Sequence, residues 1–241
     1  MERLSRGKGG AVALSRSELI GLYRKRAKRY DWTANLYYLI GFREWAYRKK
    51  AVAALSLKKG DTVVEIACGT GLNFALLEEA VGPEGKVIGV DVTDAMLSVA
   101  GERVNAHGWR NVALIQSDAV EYVFPERVNG ILSTFALILV PEFDEVIRKG
   151  AAALVSGGRW VVADLKMAES RLSGIAPFLL PLLRPFGVTL DLASRHPWES
   201  REKHMGSVAV EETYFGFAYI AWGVNTMTDC SLAKTTTGGD R

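Results

Sequence analysis

The chain has 241 residues, 49% of them hydrophobic and 24% charged, which is typical of a globular domain and excludes a disordered chain. Its two cysteines, Cys68 and Cys230, fit no metal-ligand spacing and no disulfide framework, and they favour a reducing, cytoplasmic compartment. The longest apolar runs are too short for a transmembrane helix.

The N-terminal quarter of the chain is strongly basic. Residues 1–60 hold 15 Lys and Arg against 4 Asp and Glu, whereas the remainder holds 15 against 23, for a net charge of +3. Apolar residues recur at helical spacing within 17–30, and a second helix is predicted over 35–55. These segments predict a basic helical cap over residues 1–58.

Residues 59–225 alternate between strand-like and helix-like patterns. The predicted strands cover 62–66, 86–90, 112–116, 129–134 and 160–164. The predicted helices cover 72–80, 94–107 and 142–155, with another short helix expected between the third and fourth strands. Such alternation predicts a doubly wound, mostly parallel α/β sheet with helices on both faces.

The end of the chain departs from this alternation. Two further strand patterns, 208–215 and 217–223, are separated by little more than Gly216, which permits a hairpin but no helical crossover. The seventh and last strand is therefore predicted to be antiparallel. An apolar insertion is expected over 168–205, and residues 226–241 are expected to form a disordered tail.

The most informative motif is Val-Val-Glu-Ile-Ala-Cys-Gly-Thr-Gly at 63–71, followed twenty residues later by a strand that ends in Asp91. A Gly-x-Gly turn after an apolar strand lets backbone approach a ligand closely, because glycine has no Cβ. An acidic residue at the end of the next strand is placed to accept hydrogen bonds from a ribose diol. Together they predict a nucleoside-cofactor pocket at the edge of the sheet.

Glu65 to Gly71, Asp91, Ser117 to Ala119 and the reverse last strand together resemble the class I S-adenosylmethionine-dependent methyltransferases, which have a Rossmann-like fold. A dinucleotide-binding motif would place a third glycine where this chain has Phe74. Within that superfamily, Arg29-Tyr30-Asp31 and the segment 135–141 resemble the ubiquinone/menaquinone-biosynthesis methyltransferases. The related phospholipid N-methyltransferases are similarly close.

The resemblance implies a role for each cofactor residue. Glu65 would lie near the amino-acid portion of S-adenosylmethionine, Asp91 would bind the ribose hydroxyls, and Asp118 would accept the adenine amine. The alternatives are a solvated strand end for Glu65 and a helix cap for Asp91. The full predicted cofactor-binding set is Tyr30, Glu65, Ala67, Cys68, Gly69, Thr70, Gly71, Asp91, Val92, Met96, Asp118, Ala119, Thr134 and Phe135.

Catalytic groups are harder to predict. Methyl transfer in this fold occurs beyond the fourth strand, near Phe135. Tyr30, His196 and Tyr214 are weak candidates for a proton acceptor, as is His204, although a lone histidine is more often structural than catalytic. Tyr30 could equally anchor its helix in the core. We expect no metal site.

The acceptor is predicted from the apolar and basic segments. Three prolines in 175–187 prevent a continuous helix there, so this apolar segment is expected to cap the site or to meet lipid. The basic N-terminal helix suits peripheral contact with an anionic membrane, or a position over the cofactor site. A stacking patch for nucleic acid is not evident, which argues against that partner.

A lipophilic acceptor is therefore expected. An amine acceptor needs no general base, which favours N-methylation of a phospholipid amine such as phosphatidylethanolamine. The alternatives are C-methylation of a prenylated quinone precursor and methylation of a soluble small molecule. A catalytically inactive membrane or partner adaptor is the non-enzymatic alternative, although the intact cofactor motif argues against it.

Overall fold

The computed structural model describes residues 14–35, 41–166 and 195–226. These residues form a seven-stranded sheet with the order β3-β2-β1-β4-β5-β7-β6. The strands are β1 Thr62–Ile66, β2 Lys86–Asp91, β3 Val112–Gln116, β4 Val128–Thr134, β5 Leu154–Leu165, β6 Ser207–Thr213 and β7 Ala218–Val224. The mostly parallel α/β sheet predicted from the sequence is confirmed.

The five parallel strands determine at which edge of the sheet a ligand can bind. β1 pairs in parallel with β2 on one side and β4 on the other, so the order of strands along the chain reverses between β1 and β4. Ligands of open α/β sheets bind beyond the carboxyl ends of the strands at such a switch point. The residues at those ends here are Ile66, Asp91 and Thr134.

The last two strands form the predicted antiparallel hairpin. β7 pairs antiparallel to both β5 and β6. The linking residues Tyr214, Phe215 and Gly216 all have left-handed backbone, with φ of 48°, 56° and 87°. Two consecutive non-glycine residues in that region are strained, and such strain persists where the surrounding structure fixes it.

Helices cover both faces of the sheet. They are α1 Arg16–Arg26, α2 Tyr30–Asn35, α3 Glu44–Ala54, α4 Phe74–Val81, α5 Asp94–His107, α6 Phe143–Ala153 and α7 Pro197–His204. The sheet is buried between two apolar clusters, one of which contains Trp160 and the other Phe74. A Cβ added at Gly150 of α6 would lie 2.1 Å from the Trp160 ring, so this glycine lets α6 approach the sheet closely.

Three helix predictions need correction. The helix predicted over 35–55 is wrong in extent, because Gly41 is left-handed, with φ of 79°, and α3 begins only at Glu44. Residues 117–127 form turns instead of the helix expected between β3 and β4. The Asp118 carboxylate accepts the Val120 N–H at 2.9 Å there, a local bond that competes with helix formation.

The helix predicted over 142–155 ends at Ala153, before Gly157, because the chain enters β5 at Leu154. Of the insertion predicted at 168–205, the structure describes Arg195 onward, where Pro197–His204 is helical. The apolar segment 175–187 and the predicted tail beyond residue 226 lie outside the described residues. Across the described ranges, every helix is too short or too polar to cross a bilayer.

Candidate active site

A cleft lies beyond the carboxyl ends of β1, β2 and β4, with the N-terminal helices on its open side. The glycine-rich turn after β1 contributes Ala67 to Thr70 to its lining. Ala67 and Gly69 have φ of 54° and 56°, so the turn runs through left-handed backbone. A Cβ at Gly69 would meet nothing within 4 Å, which leaves its backbone open to a ligand.

Gly71 serves the turn differently. Its φ is 74°, and an added Cβ would lie 2.5 Å from the Phe74 ring at the start of α4. Gly71 is thus required for close helix packing, and unlike Gly69 it is not among the residues that line the cleft. Cys68 is buried, and burial with the nearby Asp91 and Glu65 carboxylates raises the pKa of its thiol. This thiol is suited to packing rather than to nucleophilic attack.

Asp91 is held rigidly at the end of β2. Its Oδ2 accepts the Gly69 N–H at 2.9 Å and its Oδ1 accepts the Thr93 N–H at 2.8 Å. Burial raises the pKa of Asp91, whereas these two backbone donors and the Thr93 side chain lower it. A carboxylate has about four acceptor positions, so the side chain can still accept from a diol. Val92 and the buried Met96 line the same part of the cleft.

Asp118 and Ala119, after β3, also line the cleft. Asp118 Oδ2 lies 3.0 Å from Nε of Arg16, the first residue of α1. The same guanidinium lies 3.1 Å from Glu142, so α1 is fixed across this end of the cleft. The carboxylate predicted to accept the adenine amine is therefore in contact with a lid helix.

Glu65 does not line the cleft directly but lies beneath it, in a buried polar network. Only 1% of Glu65 is exposed, and burial raises its pKa to about 7, although the hydrogen bond from Asn73 lowers the pKa. Its Oε1 accepts the Asn73 amide at 2.5 Å, whereas Oε2 has no partner among the described residues. The solvated strand end considered as an alternative for Glu65 is ruled out.

Arg48 of α3 completes this network and was not predicted. Its guanidinium donates to Glu44 at 2.6 Å and to Thr134, at the end of β4, also at 2.6 Å. It also donates to Asn73 at 3.2 Å, and only 5% of Arg48 is exposed. Arg48 and Thr134 both line the cleft. The only sequence signal was the i, i+4 spacing of Glu44 and Arg48, which is common on helix surfaces.

The N-terminal helices are latched over the cleft. Asp31 of α2 accepts hydrogen bonds from the Thr70 hydroxyl at 2.6 Å and from the Arg103 guanidinium of α5. Arg24 of α1 pairs with Asp94 at 2.6 Å. The apolar residues Leu19, Ile20 and Tyr23 of α1 line the cleft. This arrangement supports the alternative in which the basic helix packs over the cofactor site.

Tyr30 lines the cleft near Arg48, as expected for the N-terminal tyrosine. Burial raises its pKa to about 12, with the Arg48 charge acting in the opposite direction. Tyr30 is therefore protonated near neutral pH, which argues against a role as a general base.

Aromatic rings gather beyond β4, where Phe135 ends one wall of the cleft. Its ring centroid lies 5.5 Å from that of the buried Phe42, and Tyr214 lies 5.1 Å from Phe42. The Arg48 guanidinium lies 5.3 Å from the Phe135 ring centroid. Burial, followed by the nearby Tyr47, raises the pKa of Tyr214. We call Phe42, Tyr47, Phe135 and Tyr214 the aromatic cluster, and Phe135 is its member that lines the cleft.

The two histidine candidates lie elsewhere. His196 Nδ1 is 3.0 Å from Glu199, and its ring packs at an angle of 31° against Trp198 on α7. His204 Nε2 is 3.4 Å from Asp144 of α6. Neither histidine lines the cleft that the described residues form. Among all the residues that the structure describes, no three His, Cys, Asp or Glu side chains converge in a way that could hold a metal ion.

The cleft fits S-adenosylmethionine on several observations. Gly69 offers open backbone, Asp91 offers free lone pairs, and Val92 and Met96 offer an apolar surface for a purine. The unsatisfied Oε2 of Glu65 lies beneath the turn as a further acceptor. The fold and these features define a class I S-adenosylmethionine-dependent methyltransferase.

Comparisons with known proteins give the family. The family model of the ubiE/COQ5 methyltransferase family matches residues 13–176, and the chain belongs to this family. It is 31% identical over 148 residues to a demethylmenaquinone methyltransferase of Geobacillus stearothermophilus, a match covering 58% of this chain and 62% of the relative. It is 33% identical over 119 residues to the Listeria welshimeri protein of the same name, covering 49% and 50%. The chain thus matches less than two thirds of each relative's length.

Solved structures agree on the fold. A SAM-dependent methyltransferase from Aquifex aeolicus has a TM-score of 0.56 at 21% identity, over 73% of this chain and 88% of that protein. The Haemonchus contortus phospholethanolamine N-methyltransferase 2 has a TM-score of 0.61 at 16% identity, over 76% and 53%. At these identities the likeness extends to the fold alone.

Proposed function

We propose that this methyltransferase methylates a ring carbon of a lipophilic quinol, such as a prenylated naphthoquinol. Phospholipid N-methylation, which the sequence favoured, becomes the second candidate. The aromatic cluster beside Thr134, which meets the cleft at Phe135, is the observation that carries the proposal. The matched relatives bear the name demethylmenaquinone methyltransferase, which supports the same acceptor class.

The aromatic cluster suits a flat aromatic acceptor bound in the adjoining cleft. Phe42 packs edge-on against Phe135 and Tyr214, with interplanar angles of 69° and 85°. Edge-to-face packing of this kind readily accommodates another ring, because aromatic edges and faces carry opposite partial charges. Phe215, which is 78% exposed, lies beside Tyr214 at 5.8 Å and gives an apolar tail an exit toward solvent.

The charge beside the aromatic cluster also favours an oxygen-bearing ring over an amine. Arg48 makes four hydrogen bonds with Glu44, Asn73 and Thr134 among the described residues, which leaves one guanidinium N–H. A cation at this position attracts the oxygens of a quinol and repels an ammonium headgroup.

The proposed reaction asks little covalent chemistry of the protein. When bound, S-adenosylmethionine would supply an electrophilic methyl group to a quinol ring carbon, which leaves S-adenosylhomocysteine and releases the ring proton to solvent. The residues of the cleft align the reactants and exclude water. Tyr30 and Tyr214 both have raised pKa values, so they keep their protons near neutral pH and can donate hydrogen bonds. We therefore assign them orientation of the acceptor rather than proton abstraction.

Peripheral contact with an anionic membrane remains a prediction for the basic N-terminal segment. The apolar side of α1 faces the cleft, so the contact would rely on exposed cations of α1 and of the turn that follows it, among them Lys25, Lys28 and Arg29. Trp45, which is 39% exposed with Lys49 over its ring at 5.9 Å, offers a second amphipathic contact on α3. Binding to phosphatidylglycerol vesicles that weakens with added salt would support this contact.

The acceptor is tested with labelled S-adenosylmethionine and two acceptors in one assay, a chemically reduced 2-prenyl-1,4-naphthoquinol and phosphatidylethanolamine, both in mixed micelles. We expect label in the quinol fraction. Phe135→Leu should reduce transfer to the quinol at least about tenfold, a larger change than its effect on the Kd of S-adenosylmethionine. The matched control, Phe124→Leu, removes a ring that packs against Tyr122 outside the cleft. Label confined to the phospholipid would overturn the proposal.

A further inference from the structure

A buried carboxylate that the cofactor motif does not include lies next to the segment that carries Phe135 of the aromatic cluster. Asp164 is near the carboxyl end of β5, beside the end of β4, and only 1% of it is exposed. Its Oδ2 accepts the Ile138 N–H at 2.9 Å, and its Oδ1 accepts the Leu165 N–H at 2.9 Å. Burial raises the pKa of Asp164 to about 7, while backbone donors, including those of Ala136 and Leu137, lower it.

The segment that Asp164 holds is a wall of the cleft. Residues 135–141 follow β4, and Phe135, Ala136 and Leu139 through Pro141 line the cleft. Between them, Leu137 and Ile138 turn inward and are buried. The carboxylate therefore binds the buried middle of a turn whose two ends face the ligands.

The turn also needs to be held. Phe135 has left-handed backbone with φ of 57°, and its N–H donates to the Ala163 carbonyl at 2.7 Å. A non-glycine residue adopts this conformation only where its surroundings enforce it. Arg195 donates to the Ile138 carbonyl at 2.9 Å, so the same peptide segment is fixed from a second side.

We propose that Asp164 is a positioning residue for methyl transfer. It fixes the turn 136–138 and thereby sets the place of the Phe135 ring in the wall of the cleft. The role follows from geometry, because misplacing a group that aligns the reactants by about 1 Å can cost about a hundredfold in rate. This inference rests in part on the quinol acceptor proposed above, since Phe135 is the residue through which Asp164 would act.

The test compares Asp164→Asn with the wild type, using the 2-prenyl-1,4-naphthoquinol as acceptor. We expect kcat/KM for the quinol to fall at least about tenfold, with the Kd of S-adenosylmethionine changed less than about threefold. Hydrogen exchange of the amides of residues 136–138 should speed up, measured by mass spectrometry relative to amides of β1. Asp164→Glu, which keeps the charge, should recover part of the rate.

Val162→Ala is the matched control, because it removes buried volume two residues away on β5 without touching the carboxylate. It should lower thermal stability and leave the relative exchange at 136–138 and the quinol KM unchanged. If Asp164→Asn does not fold, Arg195→Gln loosens the same turn from its other side and should shift the same parameters in the same direction.

Two results would overturn the proposal. One is unchanged relative exchange at 136–138 in the variant. The other is an equal loss in quinol and cofactor parameters, as expected of general destabilisation. A wild type that does not methylate the quinol would reject the proposed acceptor, but the exchange measurement would still decide the role of Asp164.

Discussion

The Arg48 guanidinium of α3 donates to the Thr134 hydroxyl at 2.6 Å, which ties the N-terminal helices to the strand end where methyl transfer is expected. The same side chain is paired with Glu44 and with Asn73, and all four residues are buried. The N-terminal cap is thus connected to the catalytic edge through a buried charge as well as through surface contacts.

Breaking the ion pair between Arg48 and Glu44 should destabilise the protein strongly. Arg48→Met leaves the Glu44 carboxylate buried and uncompensated, which typically costs about 3–5 kcal/mol of unfolding free energy. The double variant Glu44→Gln, Arg48→Met should recover a large part of that loss, because the uncompensated charge of Glu44 is removed as well. Urea unfolding monitored by circular dichroism measures both. A single variant that loses less than about 1 kcal/mol would contradict this account of the network.

Asp91 should control cofactor affinity. Asp91→Asn replaces one carboxylate oxygen with an NH2 group, which cannot accept a hydrogen bond. The side chain can then no longer accept from both the Gly69 and Thr93 N–H groups. The loss of charge also weakens hydrogen bonds from a diol, which to a charged acceptor are worth about 1.5–3 kcal/mol. We expect the Kd of S-adenosylmethionine to rise about 10- to 100-fold by calorimetry.

The control for Asp91 is Asp61→Asn, which changes a carboxylate that accepts the Lys58 N–H at 2.7 Å in the turn before β1. This variant should bind the cofactor like the wild type. Equal affinities of Asp91→Asn and Asp61→Asn would remove Asp91 from the cofactor site.

Glu65 should make stability depend on pH. Because its folded pKa of about 7 lies above its ordinary value of 4.5, the folded state retains a proton that the unfolded state has released between these values. Stability is therefore lost as the pH rises from about 4.5 to 7. Over this window, the shift in the pKa of Glu65 corresponds to a loss of about 3 kcal/mol of unfolding free energy.

Glu65→Gln removes this titration. The unfolding free energy of the variant should therefore increase relative to that of the wild type as the pH is raised from 5 to 8. Asp164 titrates in both proteins and cancels in the comparison. Parallel pH profiles of the two proteins, from urea unfolding at each pH, would show that Glu65 ionises at an ordinary pKa.

Local patterns in the sequence sufficed for the central strands. β1, β3 and α5 match their predicted bounds, because a strand bounded by turn residues and a capped amphipathic helix are both specified by nearby residues. The Gly-x-Gly turn and Asp91 were likewise predictable, since their spacing reflects the βαβ unit itself.

Contacts between distant segments were not predictable. Arg48 meets Asn73 and Thr134 across 25 and 86 residues. Asp164 looked like the end of an ordinary strand, and only the tertiary structure places it against the turn after β4. The apolar side of α1 was as compatible with a membrane as with the cleft, because periodicity predicts a buried face but not what buries it.

The latch on the N-terminal helices should govern cofactor release. Asp31 links α2 to the Thr70 hydroxyl and to Arg103, whose Nε also donates to the Thr70 carbonyl at 2.9 Å. Since the helices cover the cleft, the cofactor leaves more easily when this latch opens. In Asp31→Asn, a partly exposed ion pair and a charged hydrogen bond are lost, together worth about 1–2 kcal/mol.

We expect S-adenosylhomocysteine to dissociate about five- to tenfold faster from Asp31→Asn in stopped-flow displacement, with its association rate changed much less. Raising the salt concentration should accelerate release from the wild type more than from the variant, because the ion pair is already absent there. Arg148→Ala is the matched control, since it removes the exposed pair with Glu145 on α6, away from the latch. Release that is equally fast from all three proteins would mean that the helices do not gate the cofactor.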